Sequence, residues 1–218
     1  MEKFSLSISE NGLTLENIPD AVMVVNISDH KLAKRLSDLT LHRNDLIFAK
    51  TSIQQANLSK DTFIREALWR SAIVHFCKCF GKSNSRELLD FDEVYKGEQT
   101  EAKVVFDYFK HLRNKNVVHD ENSYSQALPG AVLNNGTKPY KVEKIVCLDI
   151  RAGTFDEGNF SNLMMLIDRS LKWIVEEFDK SCSEATKQLE ELSYSEISNK
   201  TPLQFNIPSA EDVGKRRK

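Results

Sequence analysis

The spacing of apolar residues changes several times along this chain, and each change marks an element. Over residues 4–18 apolar and polar positions alternate, with Phe4, Leu6, Ile8, Leu13 and Leu15 set among small polar residues on either side of Asn11-Gly12. Alternation around an Asn-Gly pair is the strongest short-range hairpin signal, so a small β-hairpin and linker are predicted over residues 1–27. From Ser28, read as an N-cap, the period lengthens. Leu32, Leu36, Leu39, Leu46, Ile47 and Ile53 recur at three- and four-residue intervals to Ala56, which predicts a first long helix.

A second helix is predicted from a cap at Ser59 to Phe80, with Gly81 as the left-handed residue that closes it. Ile64, Leu68, Ala72, His75 and Cys79 form one stripe and Phe63, Ala67, Val74 and Cys77 another, so this helix should be the most buried. A short helix over 86–91 and a polar loop around Gly97 lead to a third long helix over 101–119. Residues 131–134 and 141–148 then read as strands around Asn135-Gly136, a hairpin inserted at 129–149. The intervening residues 120–130 suit a lid and a plain loop equally.

Thr154 and Glu157 have capping-box spacing, and Leu163, Leu166, Ile167, Leu171, Ile174, Phe178, Cys182, Leu189 and Leu192 carry a fourth helix to Ser193. Its last third has only a narrow apolar seam, which suits a projecting helix or one paired with another chain. The segment 195–218 has Pro202, Pro208 and Lys215-Arg216-Arg217-Lys218 without periodicity, which predicts a basic, disordered tail. The expected class is therefore mainly α: four long helices over 28–194 with two small β-hairpins.

Composition narrows the function. Lys plus Arg is 30 and Asp plus Glu 32, a net charge of −2, so any nucleic-acid contact must be local rather than a property of the whole surface. No apolar run approaches the roughly 18 residues of a membrane span, and residues 1–12 carry no apolar core of a secretory signal, so no membrane partner and a cytoplasmic address are expected. The 4 cysteines are too few to staple 218 residues. Cys77 and Cys79 stand roughly 200° apart on a helix, so shared metal ligation is disfavoured and reduced thiols are expected.

Chemistry concentrates in the third helix. With Leu112 set at 0° and about 100° per residue, Val105, Tyr108 and Phe109 fall on the same face, as do Asn116 at about 40° and His119 at about −20°. The core-facing stripe thus turns polar in its last turns. A buried polar group costs roughly 1–3 kcal/mol unless it is paired, so Asn116 and His119 are either satisfied internally or open a site. Residues 109–119 contain Lys110, Arg113, Lys115, His111 and His119 and no acid, a local positive surface suited to phosphate. His119 is expected at a helix C-terminus, where the carbonyl end of the dipole favours imidazolium. Asp107 and His111 are four apart, but no third metal ligand accompanies them, and no metal or cofactor is expected.

The run Leu112-Arg113-Asn114-Lys115-Asn116-Val117-Val118-His119-Asp120 resembles the Arg-x(4–6)-His signature of the HEPN superfamily, in the Arg-Asn-Lys form of its abortive-infection-like members. Arg35 with His42 and Arg70 with His75 fit the bare spacing too, but only Arg113 is followed by Asn and only His119 ends a helix beside a basic cluster. The resemblance implies an up-and-down helical bundle that acts as a homodimer and cuts RNA without a metal. It further implies Arg113, His119 and Asn114 as catalytic residues and Lys110, Lys115, Asn116 and Asp120 as RNA-binding ones. A role in phage defence or as a toxin, with an antitoxin or regulatory partner, belongs to the same expectation. Related folds without nuclease activity make a nucleotide-, RNA- or partner-binding dimer the alternative. Arg113 and His119 are about 120° apart around a regular helix, so they can share a phosphate only if the helix unwinds near Val117-Val118 or if two copies converge.

Overall fold

The computed structural model describes residues 6–9, 12–15, 18, 20–119, 121–204 and 207–215. The chain is mainly helical, and its described residues form two two-stranded antiparallel sheets. In chain order the elements are β1 (Leu6–Ser9), β2 (Gly12–Leu15), α1 (Ala33–Leu58), α2 (Thr62–Cys79), α3 (Phe91–Val94) and α4 (Gln99–Leu112). After a π-helical turn (Arg113–Val118) come β3 (Ser125–Leu133), β4 (Val142–Arg151), α5 (Glu157–Glu190), α6 (Tyr194–Ser198) and a short 3₁₀ turn (Ala210–Asp212). Among the described residues no helix is long and apolar enough to cross a membrane.

The chain divides into two compact units. One comprises Met1–Asn44, Gly81–Leu89 and Ser170–Lys218, the other Asp45–Phe80 and Asp90–Arg169, so the division falls within α1 and within α5. In the first unit Asp38, 1% exposed, accepts from the Glu87 backbone N–H at 3.1 Å and from Lys34 at 2.6 Å. His42 donates through Nε2 to the Glu87 carbonyl at 2.7 Å. Arg35 lies over the Trp173 ring at 5.4 Å and beside Glu177 at 3.6 Å. The expectation of a disordered tail fails for its first part: α6 is capped by a Ser193–Glu196 capping box, and Val25 bridges Pro202. Asn26 donates to Thr201 O and Leu203 to Val24 O, both at 2.8 Å. Residues 216–218 lie outside the described residues.

The second unit is organised around an aromatic cluster. Trp69, Ile73 and Phe76 of α2, Phe106 and Phe109 of α4, and Tyr95 are buried together with Leu163 and Ile167 of α5. Trp69 meets Phe109 and Phe155 edge-on at 5.9 and 5.2 Å, and its Nε1 donates to Thr154 Oγ1 at 2.8 Å. Phe106 lies 5.9 Å from Phe76 and 5.0 Å from Phe80. Tyr95 donates its hydroxyl hydrogen to Leu166 O at 3.0 Å. Edge-on aromatic pairs add roughly 0.5–1.5 kcal/mol each beyond the area they bury.

Several boundaries shift from the sequence reading, each for a local reason. α1 starts at Ala33, because Asn26 Oδ1 engages the Ser28 N–H at 2.7 Å and His30 Nδ1 that of Leu32 at 3.2 Å, holding this stretch in turns. α2 is capped by Asp61, whose Oδ1 accepts from Phe63 and Ile64 at 2.8 and 3.0 Å, two residues beyond Ser59. It closes without a left-handed glycine: Gly97 and Gly136 are the described glycines with positive φ, and Phe80 ends the helix at φ −108°. The buried residues of α2 are Trp69, Ala72, Ile73, Phe76, Cys77 and Cys79, so the expected stripes hold at Ala72, Cys77 and Cys79, while their first members Phe63 and Ile64, 81% and 47% exposed, stand outside the core.

The short helix sits at α3, capped by Asp90, rather than at 86–91. Thr154 is engaged by Trp69 instead of capping α5, and Asp156 Oδ1 takes the Asn159 N–H at 2.8 Å. In the last third of α5 Ser181 and Ala185 are buried within the chain, so the narrow seam is not left open as expected. The second hairpin is longer than expected, pairing Ser125 with Arg151 through to Leu133 with Val142, with an irregularity at Val132/Leu133. The expected first hairpin is present, pairing Leu6 with Leu15 through to Ser9 with Gly12, although Glu10 and Asn11 of its turn lie outside the described residues.

The two ends of α2 should therefore respond differently to truncation. Trp69→Ala is expected to lower stability in denaturant unfolding by about 3–5 kcal/mol, and Phe63→Ala to change it by no more than about 0.5 kcal/mol.

Candidate functional site

α4 buries Phe106, Phe109 and Leu112, while Val105 and Tyr108 are half-buried. On the helical wheel the centre of the buried stripe is about 60°, not 0°. That rotation carries Asn116 into the interior, at 7% exposed, and brings Arg113 to a half-buried position. His119, on the far side of the stripe, is exposed. The expected burial thus holds for Asn116 and fails for His119.

The regular helix ends at Leu112. Residues 113–118 form a π turn, and His119 leaves it in extended backbone at φ −131°, ψ 135°. The i→i+5 pattern widens the turn, and such turns are rare and occur disproportionately at functional sites. Loosening at Val117-Val118 is one of the two routes by which Arg113 and His119 could serve one site. The expectation that a regular helix reaches His119 is corrected, and the helix-dipole argument for its charge goes with it.

The candidate residues gather in two groups. Arg113 donates through Nη1 to Asn114 Oδ1 at 2.8 Å, and both side chains are half-buried. Below them is Cys77, whose Sγ contacts Phe109 O at 3.7 Å. Burial pushes its thiol up to about 12, although the positive charges of Arg113 and Lys110 pull the other way. The second group is exposed: Lys115 forms an ion pair with Glu121, whose backbone N–H donates to Lys115 O at 2.8 Å and His119 O at 3.0 Å. The hydrogen bond from Lys115, with its charge and that of His119, holds the Glu121 carboxyl below its ordinary value. No hydrogen bond or ion pair joins Arg113 to His119. Lys110 and His111 are exposed, and Asp120 lies outside the described residues.

Glu121 alters the electrostatic reading of the segment. The stretch 109–119 has no acid of its own, but the chain returns one onto Lys115 within two residues of His119. Lys110 and Arg113 then carry more of the local positive field than Lys115 does.

A polar group that local spacing does not reveal flanks the turn. Asn159 Nδ2 donates to Tyr108 Oη at 3.2 Å, Thr154 O at 2.9 Å and Asp156 Oδ2 at 2.8 Å. Burial is the largest of the effects that raise the Tyr108 hydroxyl pKa, with Tyr124 and Asp156 adding to it and the Asn159 hydrogen bond opposing it. Tyr108 was legible only as part of an apolar stripe. Asn159 lies 51 positions away, so only packing joins them.

The other two Arg-His pairs are committed elsewhere. Arg35 and His42 hold Trp173, Glu177 and the Glu87 carbonyl. Arg70 pairs with Glu66 at 2.6 Å, and His75 donates to Asp45 at 2.9 Å while stacking on Phe48 at 4.3 Å. Asp107 accepts from Lys103 at 2.9 Å. Among the described residues no three His, Cys, Asp or Glu side chains gather as metal ligands.

Comparison of the chain with protein-family models, curated proteins and solved structures finds no match.

The buried thiol gives a direct check on this end of α4. Because the neutral form is favoured, its contribution to stability is complete below the thiol's ordinary pKa of 9.0 and is lost as pH rises toward about 12. Iodoacetamide at pH 8 is expected to leave Cys77 unmodified in the native protein and to label it after unfolding, as read by peptide mass mapping.

Proposed function

We propose that this chain is a metal-independent endoribonuclease of the HEPN type, an up-and-down helical bundle that works as a cytoplasmic homodimer in phage defence or as a toxin. The observation that carries the reading is the π turn: it starts at an arginine hydrogen-bonded to its neighbouring asparagine and ends by releasing an exposed histidine in extended backbone. A guanidinium with further donors free to bind, held by Asn114, suits a phosphate better than a freely rotating side chain does.

The reaction is transesterification. The ribose 2′-hydroxyl attacks the adjacent phosphorus, the bond to the 5′-oxygen breaks, and a cyclic phosphate and a 5′-hydroxyl end result. His119 takes the proton from the 2′-hydroxyl or gives one to the leaving oxygen, a role typically worth roughly 10²–10⁴ in rate. Arg113 holds the phosphate and offsets charge that develops on its oxygens. Asn114 orients Arg113, and the exposed Lys110 and Lys115 attract the RNA backbone, while Asn116, expected beside them, is interior. The second protomer supplies the partner groups, and an antitoxin or regulatory protein restrains the activity.

A second reading is favoured by one observation, the Glu121 carboxylate on Lys115 beside His119. The acid neutralises one of the cations a scissile phosphate would meet, and the same end would serve a non-catalytic dimer that binds a nucleotide, RNA or a protein partner.

Incubation with RNA in EDTA separates the two. The nuclease reading expects cleavage to 5′-hydroxyl products and a loss of at least about 10²-fold in Arg113→Ala and His119→Ala. Cleavage unaffected by both substitutions sinks it, and RNA retention without scission selects the binding module. Glu121→Gln, which frees Lys115, should tighten single-stranded RNA binding and steepen its log–log salt dependence by about 0.7.

A further inference from the structure

Among the described residues β3 and β4 form a sheet of two strands, which makes β4 an edge. In their ladder Gln126 faces Ile150, Leu128 faces Leu148, Gly130 faces Val146 and Val132 faces Lys144. Leu128, Val132, Val146, Leu148 and Ile150 therefore share one face. Four of them are between 43% and 56% exposed, and Val146 is half-buried. A two-stranded ribbon is marginal on its own in water, and an apolar edge strand with unpaired backbone groups is a template for another strand.

The two edges are not equivalent. Pro129 removes a backbone donor in the middle of β3, and the register irregularity at Val132/Leu133 interrupts that strand. β4 runs ten residues, Val-Glu-Lys-Ile-Val-Cys-Leu-Asp-Ile-Arg, without proline or glycine. Its charges also define which strand can lie beside it. In an antiparallel pairing of β4 with itself about a two-fold axis at Cys147, Glu143 stands opposite Arg151 of the partner subunit, and the reverse pair is generated by symmetry. Val146 then meets Leu148 of the partner subunit, so the apolar face continues across the seam. Moving the axis to Val146 sets Glu143 against Asp149 of the partner subunit twice, and like charges directly opposite destabilise a sheet. An axis between Val146 and Cys147 joins the apolar face of one copy to the polar face of the other.

We propose that β4 is a self-association edge: two copies of this chain pair antiparallel about Cys147 and form one four-stranded sheet in the order β3-β4-β4-β3. The intrachain contacts that must adjust are exposed and weak. Arg151 pairs with Asp149 at 3.3 Å and Glu143 with Lys138 at 2.6 Å. The inference supplies a second copy to the proposed ribonuclease but stands on the ribbon alone.

The test uses the full chain. Light scattering on a sizing column is expected to show a dimer. Mild oxidation should link Cys147 to Cys147 of the partner subunit, in the unaltered chain and in Cys182→Ser but not in Cys147→Ser. Glu143→Arg should weaken dimerisation on the order of tenfold, and E143R/R151E should restore it. A monomer at every concentration overturns the proposal, whether the ribbon is free or occupied by RNA or another protein. So does a dimer indifferent to Glu143→Arg that forms no Cys147 link. An inactive dimer with the link refutes only the ribonuclease reading, and an RNA-cleaving dimer without the link refutes only this one.

Discussion

The indole of Trp69 is the contact on which the arrangement of the candidate site depends. It is fully buried, packs edge-on against Phe109 of α4 and Phe155 ahead of α5, and gives its one hydrogen to Thr154. A buried N–H without an acceptor would cost roughly 1–3 kcal/mol, so the Thr154 hydroxyl makes that position compatible with a tryptophan. Phe109 in turn fixes the rotation of α4 about its axis. That rotation decides that Asn116 is interior, that Arg113 is half-buried above Cys77, and that His119 is exposed.

The π turn follows from competing demands on the same stretch. Phe106, Phe109 and Leu112 hold α4 in the core at a regular helical period, and Asn116 stays buried one turn later. Val117 and Val118 lose side-chain freedom in a helix, and the next residues fold back so that the Glu121 N–H reaches the carbonyls of Lys115 and His119. The wider turn lets the chain keep Asn116 inside and still leave the helix at His119. The chemistry proposed for this end rests on that exit, because a regular helix would keep the arginine and the histidine on different faces.

Much of the frame was legible in the sequence because it follows from short-range periodicity. The three- and four-residue spacing of Leu39, Leu46, Ile53 and Ala56 marked the buried face of α1, and alternation around Asn-Gly marked both hairpins. Caps were less legible. Ser59 and Thr154 are good capping residues, but Asp61 and Asp156 have carboxylate oxygens that reach the free N–H groups first, and at Ser28 the Asn26 amide oxygen holds a turn ahead of α1 in place of a cap. For α2 the apolar residues nearly encircle the helix, so periodicity could not separate Phe63 and Ile64 from Trp69, Ile73 and Phe76.

The sequence by itself determined the mainly helical class, the two hairpins and the residues from Lys110 to His119 as the segment where polar groups interrupt an apolar stripe, since each of these depends on neighbours within a few positions. Only the tertiary structure decided the rotation of α4, the π turn, the return of Glu121 onto Lys115 and the meeting of Tyr108 with Asn159. These depend on which distant side chains fill the space around Trp69. Packing of that kind is set by volume and hydrogen bonding in three dimensions, and it leaves no period in the chain.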